Sequence, residues 1–311
     1  MKPLVSIIIP TYNRANLIGK TLDSIISQTF THWECLVIDD GSTDGTDVVM
    51  DQYCEKDKRF QYHHRPKNTN KGANTCRNYG LELSKGSYVN WFDSDDLMLE
   101  EALQKKVDCL SNFNFCISGF QLFENEYSII SNKYNTDIDD TILNSFIDGK
   151  LILNTPSVML KKNLIGQTKF DENLTRAQDL DFFFKILIKP DCKTGYLNEI
   201  TSLIRLHEDT ITNNFNSINK VDLASELKVR QFILREIKSK KMPNICRHFK
   251  LFYQTLSKAI LKSYPSLFFK YLFQYNFISL KNKVVISFYY FIYTFSKKGL
   301  SSYSKYINKL C

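Results

Sequence analysis

The stretch VSIIIPTYNR, residues 5–14, begins with a β-favouring apolar run and ends in a polar loop. The residues that follow repeat apolar side chains at helical spacing, so that one face of a helix would be apolar. Those side chains are Leu17, Ile18, Leu22, Ile25 and Ile26. The pattern predicts a strand, a loop at its carboxyl end and an amphipathic helix, which is the repeating step of an α/β fold.

This step recurs along the chain. Residues 34–38 form a second apolar run that ends in DDGS, and residues 87–92 form a third that ends in DSDD, with a helical pattern between them at residues 71–83. Strands that alternate with helices of this length predict a mainly parallel sheet flanked by helices. Since the carboxyl ends of parallel strands share one edge, the three polar loops should meet where open α/β sheets bind ligands.

The pattern changes in the second half of the chain. From about residue 108 it loosens into shorter strands at residues 115–123 and 157–161, with a helix over residues 178–188. Beyond residue 219 the chain becomes helical, aromatic and basic. We therefore predict a ligand-binding domain over residues 1–215 and a helical C-terminal region over residues 216–311.

The net charge of +8 is unevenly distributed. Acidic residues outnumber basic ones up to Glu236, whereas 14 lysines and arginines and no acidic residue follow it, so the two regions should face different surroundings. Eight cysteines without a Cys-x-x-Cys pair argue against a thiolate zinc site and against a small disulfide scaffold. The first apolar run reads as a strand and not as a signal peptide, so we expect a cytoplasmic protein.

Asp93 and Asp95 stand two residues apart at the end of the third apolar run. In an extended chain, positions i and i+2 face the same way, so both carboxylates can reach one point. Hard oxygen ligands favour Mg²⁺ or Mn²⁺, and such an ion would neutralise charge on a departing nucleoside diphosphate. A solvated turn is the alternative, because aspartates are common in turns.

Four segments together resemble the family 2 glycosyltransferases of the GT-A fold. They are VSIIIPTYNR at residues 5–14, VIDDGSTD at 37–44, TCRNYG at 75–80 and FDSDD at 92–96. Their order and spacing agree over roughly residues 4–210, and residues 220–311 lie outside the resemblance. The third segment departs from the family's Ala-Arg-Asn-x-Gly pattern by having Cys76 in place of the alanine.

The resemblance implies that the protein moves a hexosyl or N-acetylhexosaminyl group from a UDP-sugar to an acceptor hydroxyl with inversion. It implies Mn²⁺ or Mg²⁺ as the cofactor. The setting it implies is the synthesis of capsule, O-antigen or another surface polysaccharide. This setting is an analogy with the family and not a property of any residue.

The resemblance also implies roles for the loop residues. Tyr12 would lie against the base, and Asp40 would accept a hydrogen bond from uracil, whose imide N–H donates where an unprotonated cytosine nitrogen cannot. Asp93 would contact ribose or metal, and Asp95 would be the principal metal ligand. The other implied nucleotide-binding residues are Pro10, Thr11, Asn13, Arg14, Lys71 and Arg77, the last two facing the diphosphate. As alternatives, Tyr12 is an ordinary loop aromatic, Asp39 caps a turn, and Arg77 pairs with a surface carboxylate.

Residues 176–183, RAQDLDFF, resemble the family's catalytic-base motif, with Gln178 where glutamate is usual. The resemblance makes Asp179 the base that takes the acceptor proton in a single displacement. The alternative is that Asp179 only caps a helix. His207, in a segment similar to the family's Arg-x-His, is implied as a metal ligand or a diphosphate contact, with a structural histidine as the alternative.

Between residues 251 and 306, aromatic and aliphatic residues alternate with lysines. The longest uncharged stretch there, residues 284–296, is shorter than the ~20 residues of a spanning helix. We expect amphipathic helices that lie on the anionic inner face of the cell membrane, which suits a lipid-linked carbohydrate acceptor. The alternative is a region that packs on the catalytic domain or forms a homodimer. No recognition motif accompanies the charge, so we do not expect nucleic acid as a partner.

Two other functions compete with sugar transfer. A metal-dependent nucleotidyltransferase would carry a glycine-rich loop after the first strand, but residues 10–14 contain no glycine. A non-catalytic nucleotide-sugar-binding protein would have lost the metal carboxylates or the base, yet Asp93, Asp95 and Asp179 are all present. The sequence therefore favours an enzyme.

Overall fold

A computed structural model describes residues 5–125, 128–134, 141–147, 149–206, 219–240, 245–261, 264–274, 279–296 and 300–309. The chain divides into two compact units. The first comprises Met1–Glu172 with Gln178–Thr210, and the second comprises Asn173–Ala177 with Ile211–Cys311. The predicted boundary at residue 215 falls outside the described residues and stays a prediction.

The first unit opens with a parallel half-sheet whose strands are in the order β3-β2-β1-β4. Its strands are β1 (Val5–Thr11), β2 (Trp33–Asp39), β3 (Phe60–His64) and β4 (Tyr88–Trp91). The helices that connect them are α1 (Ile18–Ile26), α2 (Thr46–Lys56) and α3 (Ala73–Leu83). Every residue of β1 and β2 is buried, as expected for central parallel strands covered on both faces.

Gly80 explains how closely α3 packs on β1. A Cβ atom at this position would lie 2.3 Å from Cγ2 of Ile8 and 3.2 Å from Cγ1 of Ile38, which is far inside van der Waals contact. Only glycine lets the helix backbone approach the strands this closely. The last residue of the TCRNYG segment therefore sets the distance between helix and sheet, and the helix carries Arg77 to the sheet edge.

The other half of the sheet is mixed. Its strands are β5 (Leu97–Met98), β6 (Phe115–Asn125), β7 (Ser128–Tyr134), β8 (Val158–Lys161) and β9 (Thr194–Arg205). Strand β8 runs antiparallel to both β4 and β6, whereas β6 and β9 are parallel. The helices here are α4 (Ala102–Asn112), α5 (Ile142–Ile147), α6 (Lys162–Ile165) and α7 (Gln178–Leu187). The predicted α/β sheet flanked by helices is confirmed, and β1, β2 and β4, which end in the predicted motif loops, all lie in its parallel half.

The second unit is helical, as the sequence predicts. Its helices are α8 (Lys220–Ser239), α9 (Ile245–Leu261), α10 (Pro265–Phe273), α11 (Leu280–Ser296) and α12 (Leu300–Lys309). Asn219 caps the start of α8, because its side chain accepts hydrogen bonds from the N–H groups of Val221 and Asp222. Large aromatic side chains such as Phe252, Tyr253 and Phe268 fill the core. In the described part of the chain, no helix combines the length and the apolar character that crossing a bilayer requires.

Candidate active site

The loops after β1 and β2 are joined by hydrogen bonds. The backbone N–H of Asn13 donates to Oγ of Ser42 at 2.8 Å, and Oδ1 of Asn13 accepts from the N–H of Thr43 at 2.9 Å. Asn13 has a φ of 51°, a left-handed conformation that asparagine tolerates better than most residues. The N–H of Arg14 donates to Oγ1 of Thr46 at 3.1 Å. The two predicted loops therefore form one polar rim at the carboxyl edge of the sheet.

The two neighbouring aspartates of the second loop have different partners. Oδ1 of Asp39 accepts from the N–H groups of Gly41 and Ser42, both at 2.7 Å, and the Tyr62 hydroxyl donates to Oδ2. Asp39 therefore stabilises the turn, which was the alternative considered for it. Asp40, which is predicted to bind the uracil base of the nucleotide, is buried and forms an ion pair with Arg65. Arg65 was not among the predicted residues, because nothing in its sequence context marks it.

The first loop also supplies an exposed aromatic ring. Tyr12 is exposed, and the ammonium of Lys71 lies 4.0 Å from the centre of its ring, a cation–π contact. Pro10 and Thr11 immediately precede Tyr12 in the sequence and are buried at the end of β1. Within the described residues, Oγ1 of Thr11 is buried and has no hydrogen-bond partner. Tyr12, which is predicted to contact the nucleotide base, therefore lies beside Lys71, which is predicted to face the diphosphate.

The carboxylates after β4 are held by arginines. Asp93 accepts from Nη2 of Arg77 at 3.0 Å, and Asp95 lies 3.5 Å from Nε of Arg14. Asp96 is buried and accepts from the N–H of Arg205 at 2.8 Å. Burial, together with the charges of Asp93 and Asp95, raises the pKa of Asp96 well above its usual range. Negative charge is therefore concentrated at this loop, and the arginines compensate part of it.

The predicted metal ligands are only partly described. Among the described residues, no group of three or more His, Cys, Asp or Glu side chains is arranged to hold a metal ion. Asp93 and Asp95 supply two carboxylates in one loop. His207, the third predicted ligand, lies outside the described residues.

Arg77 connects the carboxylate loop to α7. It is buried, and its Nη1 donates to Oδ1 of Asn74 at 3.2 Å while Nη2 holds Asp93. Its guanidinium lies 5.4 Å from the ring of Phe170. The charges of Asp93 and Asp179 outweigh the effect of burial and raise the pKa of Arg77. Arg77 thus pairs with Asp93, a partly exposed carboxylate of the predicted site, and its role at the diphosphate stays a prediction.

Asp179 is the second residue of α7, within the first turn and not at the cap position. The side chain of Asp179 is half-buried. Burial raises its pKa to about 6; the charge of Arg77 opposes this shift and that of Asp93 adds to it. Asp181 is buried and pairs with Lys185 one turn later. The raised pKa makes Asp179 a candidate proton acceptor, and its role as base stays a prediction.

An aromatic cluster fixes α7 beneath this site. The rings of Phe170 and Phe182 stack at 4.0 Å between centroids, and Trp91 packs edge-on against both. Because Trp91 is the last residue of β4 and Phe182 lies one turn from Asp179, the cluster ties the helix to the strand that carries Asp93. The apolar residues of the motif therefore position its acidic ones.

Behind Asp93 lies a buried polar network that sequence reasoning missed. Oγ1 of Thr155 donates to Oδ2 of Asp93 at 3.3 Å. The carbonyls of Thr155 and its neighbour Pro156 accept from Nδ2 of Asn90 at 3.3 Å and from Nζ of Lys106 at 2.6 Å. Burial lowers the pKa of Lys106 to about 8. No sequence signal distinguishes Lys106, on α4, from an exposed helical lysine, and only the fold brings it to Asn90 and Pro156.

Comparison with known proteins identifies relatives of this chain. The family model for glycosyl transferase family 2 matches residues 6–162. The putative teichuronic acid biosynthesis glycosyltransferase TuaG of Bacillus subtilis is 32% identical over 219 residues, which cover 68% of this chain and 83% of that protein. An uncharacterized glycosyltransferase of Rickettsia bellii is 30% identical over 214 residues, which cover 67% of this chain and only 29% of that longer protein.

A solved structure gives the same result for the fold. Residues 1–349 of TarS from S. aureus, in complex with UDP-GlcNAc, match with a TM-score of 0.66 at 19% identity, covering 86% of this chain and 79% of that one. This likeness confirms the predicted GT-A fold. Together with the family model and the similarity to TuaG, it leaves one conclusion. The chain belongs to glycosyltransferase family 2 and is a glycosyltransferase.

Proposed function

We propose that the enzyme transfers a hexosyl or N-acetylhexosaminyl group from a UDP-sugar to a carbohydrate hydroxyl, with inversion at the anomeric carbon. One observation carries the proposal. The carboxylate of Asp179, with a pKa raised to about 6, lies within electrostatic reach of Arg77 and Asp93. The group that would accept a proton and the groups that would face the nucleotide therefore belong to one charged site.

The choice of a uridine donor is supported by the second loop. The ion pair with Arg65 fixes the orientation of the Asp40 carboxylate, an acceptor that suits the imide N–H of uracil. The exposed ring of Tyr12 offers a surface on which a base can stack. TarS, which shares the fold, binds UDP-GlcNAc in its solved complex, and this also supports a UDP-sugar.

In the proposed reaction, Asp179 accepts the proton of the acceptor hydroxyl while the acceptor oxygen forms a bond to the anomeric carbon. The bond between that carbon and the diphosphate oxygen breaks, and UDP leaves with the bonding electrons. Attack from the face opposite the leaving group inverts the anomeric configuration. Arg77, already beside Asp93, would hold the diphosphate by charge-assisted hydrogen bonds.

Mn²⁺ or Mg²⁺ is part of the proposal. Asp93 and Asp95 provide the hard oxygen donors that these ions prefer, and two carboxylates suffice where phosphate oxygens and water complete the coordination. Both carboxylates now face arginines, so the ion would share them with Arg77 and Arg14. When bound, it would neutralise charge on the departing diphosphate. His207 stays a predicted further ligand.

The proposed setting is the synthesis of a bacterial surface polysaccharide. The name of TuaG, a putative teichuronic acid biosynthesis enzyme, supports this setting by similarity. The acceptor would be a carbohydrate, lipid-linked and presented at the inner face of the cell membrane. The basic composition beyond Glu236 supports peripheral attachment there, with a homodimer as the competing role for the C-terminal region.

The test is a panel of nucleotide sugars incubated with the enzyme and Mn²⁺ or Mg²⁺. We expect UDP to be released from one UDP-sugar, with release lost on chelation and in Asp95→Ala. Asp108→Ala, which changes an exposed aspartate of α4, is the matched control and should behave as wild type. An NMR spectrum of the product should show the anomeric configuration opposite to that of the donor. Retention of configuration, or release from a non-uridine donor alone, would contradict the proposal.

A further inference from the structure

Helix α11 exposes an apolar stripe. Leu280, Val284, Phe288 and Phe291 follow one another at spacings of four, four and three residues, which places them on one side of the helix. All four side chains are exposed, while Ile286 and Tyr290 on the opposite side are buried in the core of the second unit. The helix is therefore apolar on two faces, and the unit's own core covers only one of them.

The stripe continues onto α10. The ring of Phe291 lies 5.9 Å from that of Phe269, which in turn lies 6.4 Å from that of Phe273, itself exposed. Lys283 fastens the two helices, since its Nζ donates to the carbonyl oxygen of Phe273 at 3.2 Å. The exposed apolar surface is thus part of a packed helix pair. Contiguous exposed apolar surface of this kind marks an interaction site.

Only positive charge lies close to this surface in sequence. Lys270 on α10 and Lys281 on α11 are both exposed beside the stripe residues. No aspartate or glutamate occurs anywhere after Glu236, whereas 14 lysines and arginines do. An apolar stripe flanked by lysines matches a surface that is negative outside and apolar beneath, as an anionic bilayer is.

We propose that the α10–α11 surface, formed by Phe273, Leu280, Val284, Phe288 and Phe291, docks the enzyme on an anionic lipid bilayer. Its side chains enter the boundary between headgroups and acyl chains, and Lys270 and Lys281 contact the lipid phosphates. A second copy of the chain fits this surface less well, because a symmetric contact would bring the lysines of both copies together. The inference rests on the proposed membrane location and identifies the side chains responsible for it.

The test is sedimentation of the full chain with vesicles of equal parts phosphatidylglycerol and phosphatidylcholine. The double variant Val284→Ser/Phe288→Ser removes side chains that are 57% and 62% exposed. We expect its partition into the vesicles to fall at least about tenfold, because burial of these side chains supplies the binding. The matched control is Val48→Ser/Val221→Ser, at two helical valines that are each 59% exposed, and it should bind as wild type.

Two further arms distinguish the outcomes. Vesicles of phosphatidylcholine alone should bind the wild type weakly, and Lys270→Glu/Lys281→Glu should lose binding to the anionic ones. A wild type that elutes as a dimer, with a monomeric stripe variant that still binds vesicles, would overturn the proposal in favour of self-association. Release of UDP, measured without lipid, should be equal in wild type and the stripe variant. Failure of sugar transfer would therefore not be confused with failure of docking.

Discussion

The two units of the molecule indicate function through different structural features. In the first unit, short polar motifs supply the side chains of the candidate site, and specific partners fix those side chains. Two backbone N–H groups hold Asp39, and Arg77 holds Asp93. In the second, aromatic residues fill a helical core and a further apolar row on α11 faces outward. Side chains held in a fixed geometry indicate a reaction. An apolar and basic surface indicates only the chemical character of its binding partner.

Asp179→Asn should have the largest effect and separates the roles within the first unit. Without the base, we expect kcat to fall about 10³-fold, while UDP binds with unchanged affinity because the nucleotide loops are intact. Initial rates and calorimetric titration with UDP measure the two quantities. Gln178→Ala, one residue earlier, is the control and should remain active. Loss of UDP binding in Asp179→Asn would contradict the assignment.

The same substitution should stabilise the protein. Burial raises the pKa of Asp179 from 3.8 to about 6, so the folded protein binds this proton more tightly than the unfolded chain does. The resulting stabilisation of the folded state is fully present below pH 3.8 and is lost as the pH rises through about 6. Asparagine is neutral at every pH. The melting temperature of Asp179→Asn should therefore exceed that of wild type at neutral pH, and the difference should vanish in acid. An equal or lower melting temperature at neutral pH would show that the carboxylate is solvated.

Asp40→Asn should weaken UDP binding about tenfold, since a hydrogen bond to a charged acceptor is lost. Asparagine also donates, so the variant should lose less affinity for CDP than for UDP. Calorimetric titration with both nucleotides gives the ratio. Equal losses for the two nucleotides would mean that Asp40 does not read the base and acts only through Arg65.

The pH dependence of kcat/KM should have an acid limb with a midpoint near 6, because the base must be ionised to accept a proton. About one pH unit below the midpoint, the rate should be roughly tenfold lower. Stopped assays across this range measure it, with UDP affinity followed in parallel. A flat profile through this range would exclude Asp179 as the base.

Thr155→Val should have the smallest effect, about fivefold on kcat, because it removes one hydrogen bond to Asp93 and keeps the shape of the side chain. Thr155→Ser keeps the hydroxyl and is the control. Initial rates of the two variants test whether the network behind Asp93 orients that carboxylate. Equal rates in Thr155→Val and wild type would make the network purely structural.

The sequence predicts the motif-bearing half of the first unit well, because β1, β2 and β4 each end in a polar loop; the order of the strands comes only from the structure. It predicts less of the mixed half, since the two-residue β5 and the long pair of β6 and β9 depend on contacts between residues far apart in the chain. It also misses residues such as Arg65, Thr155 and Lys106, which reach the site only through the fold. The sequence predicts the helical character of the second unit, but only the structure separates the buried Ile286 from the exposed Phe288.

The assignment of catalysis to the first unit and of membrane docking to the second can be tested directly by measuring two variants in two assays. Asp179→Asn and Val284→Ser/Phe288→Ser would each be assayed for UDP release in the absence of lipid and for binding to anionic vesicles. We expect Asp179→Asn to lose UDP release and to keep vesicle binding, and we expect the stripe variant to do the reverse. Failure of Asp179→Asn to bind vesicles, or failure of the stripe variant to release UDP, would contradict the assignment of catalysis to the first unit and docking to the second.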